Sequence, residues 1–235
     1  GMYRGIHPIP GRGGRLRALS GRSGTERRNA MILEAKNVSF SYRRRGKAVL
    51  QNVSLTVESG EITGLFAPSG YGKTTLCRLL AGYEKPDSGQ ILLDGKPLSS
   101  YRGFCPVQMI WQNPETAVDP LIRLGETLRE AGGVEDRILD ALHIAPAWLS
   151  RYPTELSGGE LQRFCIARAL RPELKFLLCD ETTAMLDLIT QAQIWDFLIT
   201  EARERGLGML IVSHSAALLE RLCAKVKHLP MASKT

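Results

Sequence analysis

A chain of 235 residues, 43% of them hydrophobic, is long enough for one large domain or for a domain carrying an inserted lobe. Its longest apolar runs are far too short to span a bilayer, which leaves any membrane role peripheral. A net charge of +7 invites a nucleic-acid reading, but residues 1–30 hold seven arginines against one glutamate and so carry six of those charges. The rest of the chain is nearly neutral, and no nucleic-acid partner is expected. Cys77, Cys105, Cys165, Cys179 and Cys223 are odd in number and scattered, with no C-x-x-C spacing, as small core residues in a reducing compartment are.

Residues 1–30 are rich in Gly, Arg, Pro and Ser with almost no apolar periodicity, and read as a basic N-terminal extension. The folded domain is expected over 31–235. Ile32 to Tyr42 alternates apolar and polar residues as a half-buried strand does, Arg43–Lys47 makes a turn, and Ala48 to Val57 is its antiparallel partner. An apolar run, Ile62 to Phe66, leads into the small-residue loop Ala67-Pro68-Ser69-Gly70-Tyr71-Gly72-Lys73-Thr74-Thr75. Leu76, Leu79 and Leu80 then mark a helix that Gly82 closes.

Strands follow at Gln90–Leu93 and Val107–Trp111. The texture changes between Gln112 and Ser157. Helices predicted over Leu121–Ala131 and Val134–Ile144, the second with Val134, Ile138, Ala141 and Leu142 on one face, suggest a helical lobe of about 113–160 inserted into an α/β core. Ser157 to Glu160 has the form of a capping box opening a helix with Leu161, Phe164, Cys165 and Ala169 on its apolar stripe. Phe176–Cys179 and Met209–Val212 are continuous apolar runs, as strands buried on both faces of a parallel sheet are. Between them, Thr190–Arg205 is predicted as a helix burying Trp195, Leu198, Ile199 and Ala202. A short helix through Leu222 and a strand at Lys225–Leu229 complete the chain.

Strand, glycine-containing loop and helix in that order suit a phosphate-binding loop, whose backbone N–H groups turn inward at the positive end of a helix. Lys73 would reach the β- and γ-phosphates and the Thr74 hydroxyl a Mg²⁺ ion. The pattern G-x-x-x-x-G-K-[ST] is met except at its first position, Ala67. If positive φ is needed there, alanine costs about 1–2 kcal/mol. Ligands of open α/β sheets bind at the C-terminal ends of strands, where Asp180-Glu181 and His214 are expected. The first carboxylate suits a metal held through water and the second an attacking water. Each alone is equally consistent with a helix cap or a solvated strand end.

Taken together and in this order, the motifs resemble those of an ATP-binding cassette (ABC) ATPase over roughly Ile32 to the C-terminus. Ala67–Thr75 matches the Walker A loop, Gln112 the Q-loop, and Leu156-Ser157-Gly158-Gly159-Glu160-Leu161-Gln162-Arg163 the signature. Phe176–Glu181 matches Walker B, Asp187 the D-loop and His214 the switch histidine, while Tyr42 matches an aromatic that stacks on adenine. Trp111-Gln112-Asn113-Pro114, Asp119-Pro120 and Arg151-Tyr152-Pro153 look most like the oligopeptide, dipeptide and nickel import branch.

The resemblance implies an α/β phosphate-loop NTPase with a mainly parallel core sheet, an antiparallel β subdomain and the helical lobe. It implies ATP and Mg²⁺, the metal held through Thr74, Gln112 and Asp180, with Glu181 as general base and His214 on the γ-phosphate. Two such subunits, identical or not, would sandwich ATP so that Ser157, Gly158, Gly159 and Gln162 of one meet the nucleotide of the other. A membrane permease would dock on the helical lobe at the cytoplasmic face of the membrane, with a solute-binding protein acting indirectly.

Thr182 and Ala184 replace the family's usual Pro and Ser. These departures keep open a degenerate partner that binds ATP but hydrolyses little. The basic tail alone suggests a further alternative, a soluble non-transport ATPase, and a single cassette favours transport over it. A chain starting at Met31 should melt within a few degrees of the full chain, because residues 1–30 bring no apolar face to bury. A large loss of stability in calorimetry would mean that the extension packs on the domain.

Overall fold

The computed structural model describes residues 30–43, 47–183 and 186–229, so Ala184, the turn at 44–46 and nearly all of the N-terminal extension lie outside the described residues. Two sheets carry the fold. The first is antiparallel, in the order β2-β1-β4-β5, from β1 (Ile32–Phe40), β2 (Leu50–Glu58), β4 (Ser88–Leu93) and β5 (Lys96–Pro97). Leu33 and Ala35 point into the core of β1, and then the register shifts so that Val38 and Phe40 follow them inward. Asn37, at φ 50, takes up the extra residue as a bulge, with Ser54 accepting its backbone N–H. The strand stops at Phe40, short of the predicted Tyr42, where the Ser41 N–H turns to the Asp87 carboxylate.

The second sheet is parallel throughout, in the order β6-β7-β8-β3-β9, from β3 (Ile62–Phe66), β6 (Val107–Ile110), β7 (Phe176–Asp180), β8 (Gly208–Ser213) and β9 (Lys225–His228). Every residue of β7 and β8 is buried, as their unbroken apolar runs require. Pairing of Ile110 with Cys179, Asp180 with Val212 and Phe66 with Ser213 brings four strand ends level on one edge. The loops that follow these ends carry the candidate functional residues.

One face of the parallel sheet packs on α1 (Lys73–Leu80) and on the antiparallel sheet through Leu65, Leu76, Phe176 and Leu178. The other face packs on α4 (Gly158–Ala169), α5 (Leu188–Arg205) and α6 (Ala216–Leu222) through Phe164, Leu177, Trp195 and Leu219. Each such side chain, fully buried, contributes about 1.5–3 kcal/mol. Among the described residues no helix is long and apolar enough to cross a membrane.

Helices between the two halves of the sheet are shorter than predicted. α2 spans Leu124–Glu130 and α3 spans Asp136–Ala141, with single turns at Pro114–Thr116, Pro146–Ser150 and Pro153–Glu155 beside them. Leu121, expected within α2, precedes it and is 83% exposed. Ala141 is exposed although the helical pattern put it on the apolar face, because His143 at φ 52 ends α3 and turns Ile144 inward instead. α5 starts two residues earlier than predicted, capped by Asp187, and its buried stripe holds Ile194 and Glu201 while Ile199 is only half-buried.

Gly208 is the tightest register point between β7 and β8. A Cβ there would collide with the edge of the Phe176 ring and lie 2.9 Å from the Glu58 carbonyl oxygen. Gly208→Ala should therefore cost about 1–3 kcal/mol, a fall of several degrees in melting temperature by calorimetry. An unchanged melting temperature would show that the spacing of these strands is slack.

Candidate functional site

The loop between β3 and α1 is set by two glycines, Gly70 at φ 82 and Gly72 at φ 84, a backbone region open to few other residues. A Cβ on Gly72 would also come within 2.9 Å of Leu50 and 3.1 Å of Val49. α1 then begins with no side-chain cap and no acidic residue in its first turn, so its N–H groups and positive end remain available to an anion. Ala67 is buried and lies outside the positive-φ region. The cost expected of an alanine there does not arise, since its backbone never needed glycine.

Lys73 folds back over this loop, donating to the Pro68 carbonyl at 3.0 Å. Its ammonium lies 3.5 Å from Oε1 of Glu181, and both side chains are nearly buried. Two further donors converge on the same carboxylate: Gln112 Nε2 reaches Oε2 at 3.2 Å, and His214 Nδ1 lies 2.9 Å from Oε1. Glu181 has φ 45, the only glutamate among described non-glycine residues with positive φ, the others being Asn, Asp or His. Those three types tolerate the region and glutamate does not, so the strain marks a position held for a purpose.

Asp180, one residue earlier, has the opposite surroundings. It is 1% exposed and neither carboxylate oxygen has a hydrogen-bond partner among the described residues. Burial pushes its carboxyl up from the ordinary range; the nearby Thr74 hydroxyl, too poorly placed for a full hydrogen bond, draws it back, and the Glu181 charge adds to the rise. A buried carboxylate with both oxygens free, beside Thr74 and Lys73, fits a cation brought in with a nucleotide. No group of three His, Cys, Asp or Glu forms a metal cage of its own among the described residues, as expected where phosphates supply part of the shell.

A cleft of about 370 Å³ joins these parts, lined by Tyr42, Val49, Gly72, Lys73, Gln112 and Glu181. Tyr42 stands at its mouth, 55% exposed, its ring edge-on to Phe40 and its hydroxyl 3.0 Å from Thr75 Oγ1. Its open face suits a planar ring. Val49 escaped sequence reasoning, since an apolar residue in a strand start carries no signal. So did Trp195, which donates to Thr183 Oγ1 at 3.0 Å and braces the loop after Glu181. The Thr182 hydroxyl beside it is buried and has no hydrogen-bond partner among the described residues.

Ser157 accepts from the Glu160 N–H while Glu160 accepts from the Ser157 N–H at 2.8 Å, closing the capping box at α4. The Ser157 N–H and then the Ser157 hydroxyl, both donating to it, hold the Glu160 carboxyl below the ordinary range. Ser157 and Gly158 are exposed and Gly159 half-exposed. Asp187 is exposed beside them and caps α5 by accepting from the Ile189 and Thr190 N–H groups. This surface is separate from the nucleotide cleft of the same chain, and its cavity of about 280 Å³ is lined by Ser157, Gly159, Leu186 and Asp187. Gln162 does not belong to it. Its side chain is 2% exposed and donates to the Trp111 carbonyl at 3.2 Å, so a contact with another subunit is out of its reach.

Comparison with known proteins places this arrangement. The family model described as ABC transporter matches residues 50–184. A nickel import ATP-binding protein of Rhodospirillum rubrum is 38% identical, over 81% of this chain and 76% of that protein. The protein of the same name from Escherichia coli K12 is 37% identical over 80% and 76%. Among solved structures, the cbiO1 subunit from Clostridium perfringens, part of the ABC transporter complex cbiONQ, superposes with a TM-score of 0.69 at 25% identity, covering 86% of this chain and 85% of that one. A dimeric bacterial ABC transporter cassette shares the fold with a TM-score of 0.71 at 24% identity, over 84% and 94%.

The environment of Asp180 makes a stability prediction. Its folded carboxyl titrates above its unfolded value, so the protonated form is favoured in the native state, and stability is lost as pH rises through the folded value. Asp180→Asn should therefore raise the melting temperature of the nucleotide-free protein at neutral pH. The gain should shrink as pH falls below the ordinary aspartate range. A variant less stable than the parent at neutral pH would show that the carboxylate is paired.

Proposed function

The chain belongs to the ABC transporter family, and from that membership we propose that it is the ATP-hydrolysing subunit of an importer. The observation that carries the reading is the convergence of Lys73, Gln112 and His214 on the Glu181 carboxylate inside the phosphate-loop cleft. A degenerate subunit has no use for a strained glutamate kept in contact with all three.

ATP would enter with adenine against the exposed face of Tyr42 and its phosphates on the loop from Ala67 to Thr75. The γ-phosphate draws Lys73 away from Glu181, because a phosphate of higher charge competes for the ammonium. Gln112 and His214 then hold the glutamate while it takes a proton from a water in line with the γ-phosphorus. The water oxygen bonds to phosphorus, the bond to the β–γ bridging oxygen breaks, and ADP departs with its electron pair. Mg²⁺, bound by Thr74, Gln112 and Asp180, would supply charge neutralisation at the β- and γ-oxygens. The two unpartnered oxygens of Asp180 fit that role.

The surface at Ser157, Gly158, Gly159 and Asp187 has no nucleotide of its own to contact. Two subunits arranged head to tail would set it against the γ-phosphate in the partner's cleft, where the exposed N-terminus of α4 complements the charge. The exposed Leu188 and Ile189 beside Asp187 would be covered at the same time. A membrane permease would dock next to Gln112, where Tyr83 is 51% exposed and stacks edge-on with Trp111 at 5.1 Å. The subunit would thus sit peripherally on the membrane. The cargo would be a peptide, nickel or similar small solute, and two relatives named as nickel import proteins support nickel among these.

The deciding experiment is Glu181→Gln, which keeps the shape of the side chain and removes its basicity. Loss of a general base costs about 10²–10⁴-fold in rate, so ATP should bind and the variant should accumulate as an ATP-bound dimer in light scattering. The parent should hydrolyse ATP and return to monomer. Equal, negligible turnover in both proteins, with or without permease, would favour the degenerate partner.

A further inference from the structure

A second charge cluster lies at the far end of α5 from Asp187. Glu201 is 3% exposed there. Arg137 of α3 grips it with both prongs, Nη1 to Oε2 and Nη2 to Oε1, each at 2.8 Å, while its Nε donates to Glu135 at 2.7 Å. Arg205 donates to Oε1 of the same carboxylate at 3.3 Å. The Arg205 guanidinium also donates to the carbonyls of Leu170 and Arg171, at the C-terminus of α4. One buried carboxylate therefore ties α3, α4 and α5 together. Its carboxyl is held below the ordinary range, first by the Arg137 hydrogen bonds, so the charged form persists despite burial.

The other end of α3 is fixed as well. The carbonyl of Leu142, just past the helix, accepts from Arg163 of α4 at 3.4 Å, and the Arg163 guanidinium lies 5.1 Å from the centre of the Trp148 ring. Beyond that point Ala141, Leu142 and His143 line the same cavity as Ser157 and Asp187. A Cβ on Gly159 would lie 3.1 Å from Leu186, so the signature turn and the segment before α5 already touch. α4 is twelve residues long, which puts the signature turn about 18 Å from the Glu201 cluster along its own axis. Errors of angle at the far end of such levers become displacements at the near end.

We propose that the Arg137–Glu201 pair is a positioning device, fixing α3 as a strut between α4 and α5 so that the signature turn and Asp187 meet a second subunit's nucleotide as one rigid surface. The inference rests on the head-to-tail sandwich proposed above. An apolar pair in place of these charges could be as stable but would slide. A two-pronged arginine–carboxylate contact admits one register.

Arg137 is half-exposed and Arg205 would still satisfy Glu201, so Arg137→Gln should fold. In the Glu181→Gln background it should weaken ATP-driven dimerisation about tenfold, within the range of measured couplings between contacting residues. ATP affinity of the monomer, read by calorimetry below the dimerisation range, should stay within twofold. In the parent background kcat should fall about tenfold with KM for ATP unchanged. Arg137→Lys keeps the charge without the fork and should recover only part of the loss.

If Glu181→Gln dimerises and Arg137→Gln matches it at temperatures well below melting, the pair is merely structural and this inference is overturned alone. If Glu181→Gln does not dimerise while the parent hydrolyses ATP as a monomer, the sandwich reading falls and takes the inference with it.

Discussion

The carboxylate of Glu181 is where four chain segments distant in sequence are made to agree. Lys73 comes from the start of α1, Gln112 from the segment after β6, His214 from just past β8, and Glu181 itself from just past β7. They meet because the sheet is parallel and the strand ends lie level, which the buried runs of β7 and β8 enforce from the core outward. A register slip of one residue in any strand would turn its terminal side chain to the opposite face. Core packing and the site are in this sense one constraint, and the tight contact of Gly208 with Phe176 belongs to both.

Most of this was legible in the sequence, and for identifiable reasons. Continuous apolar runs give β7 and β8, alternation gives β1 and β2, and the small-residue loop appears where expected between β3 and α1. The capping box at Ser157 and Glu160 is local chemistry and appears as read. What could not be read depends on tertiary partners. Gln162 has the spacing of an exposed signature residue, yet the Trp111 carbonyl lies within its reach and it folds inward. Ala141 fits an apolar stripe, but it is the last residue of its helix and stays exposed. Glu201 looks like a solvated residue near a helix end until Arg137, 64 positions away, encloses it.

The pair Asp180 and Glu181 shows how environment divides the labour of two adjacent carboxylates. Backbone direction alternates along the strand end, so one acid is driven into the core side against Thr74 and the other into the cleft. Asp180 is left with burial and no donors, which raises the cost of its charge. Glu181 has three donors and strained backbone instead. Each is a local loss of stability in the free protein, of the kind that accumulates where a ligand is meant to supply what is missing. On the proposed function, a cation would relieve the first, and a γ-phosphate, by competing for Lys73, would rearrange the second.

That division links the two ends of the molecule. The loop that follows the strained Glu181 is held by Trp195 of α5 through Thr183. α5 begins at Asp187 on the exposed surface and carries Glu201 about 21 Å further on, by its rise per residue. A helix gripped at the catalytic loop, at its cap and at a buried carboxylate cannot tilt at one of these places alone. On the function proposed above, movement of the γ-phosphate would therefore be transmitted as displacement of a whole helix, together with α3 and the end of α4 that share its carboxylate. If the signature turn and Asp187 form one rigid unit, as proposed, an event in one subunit's cleft would reach the surface offered to the other without any further contact having to form.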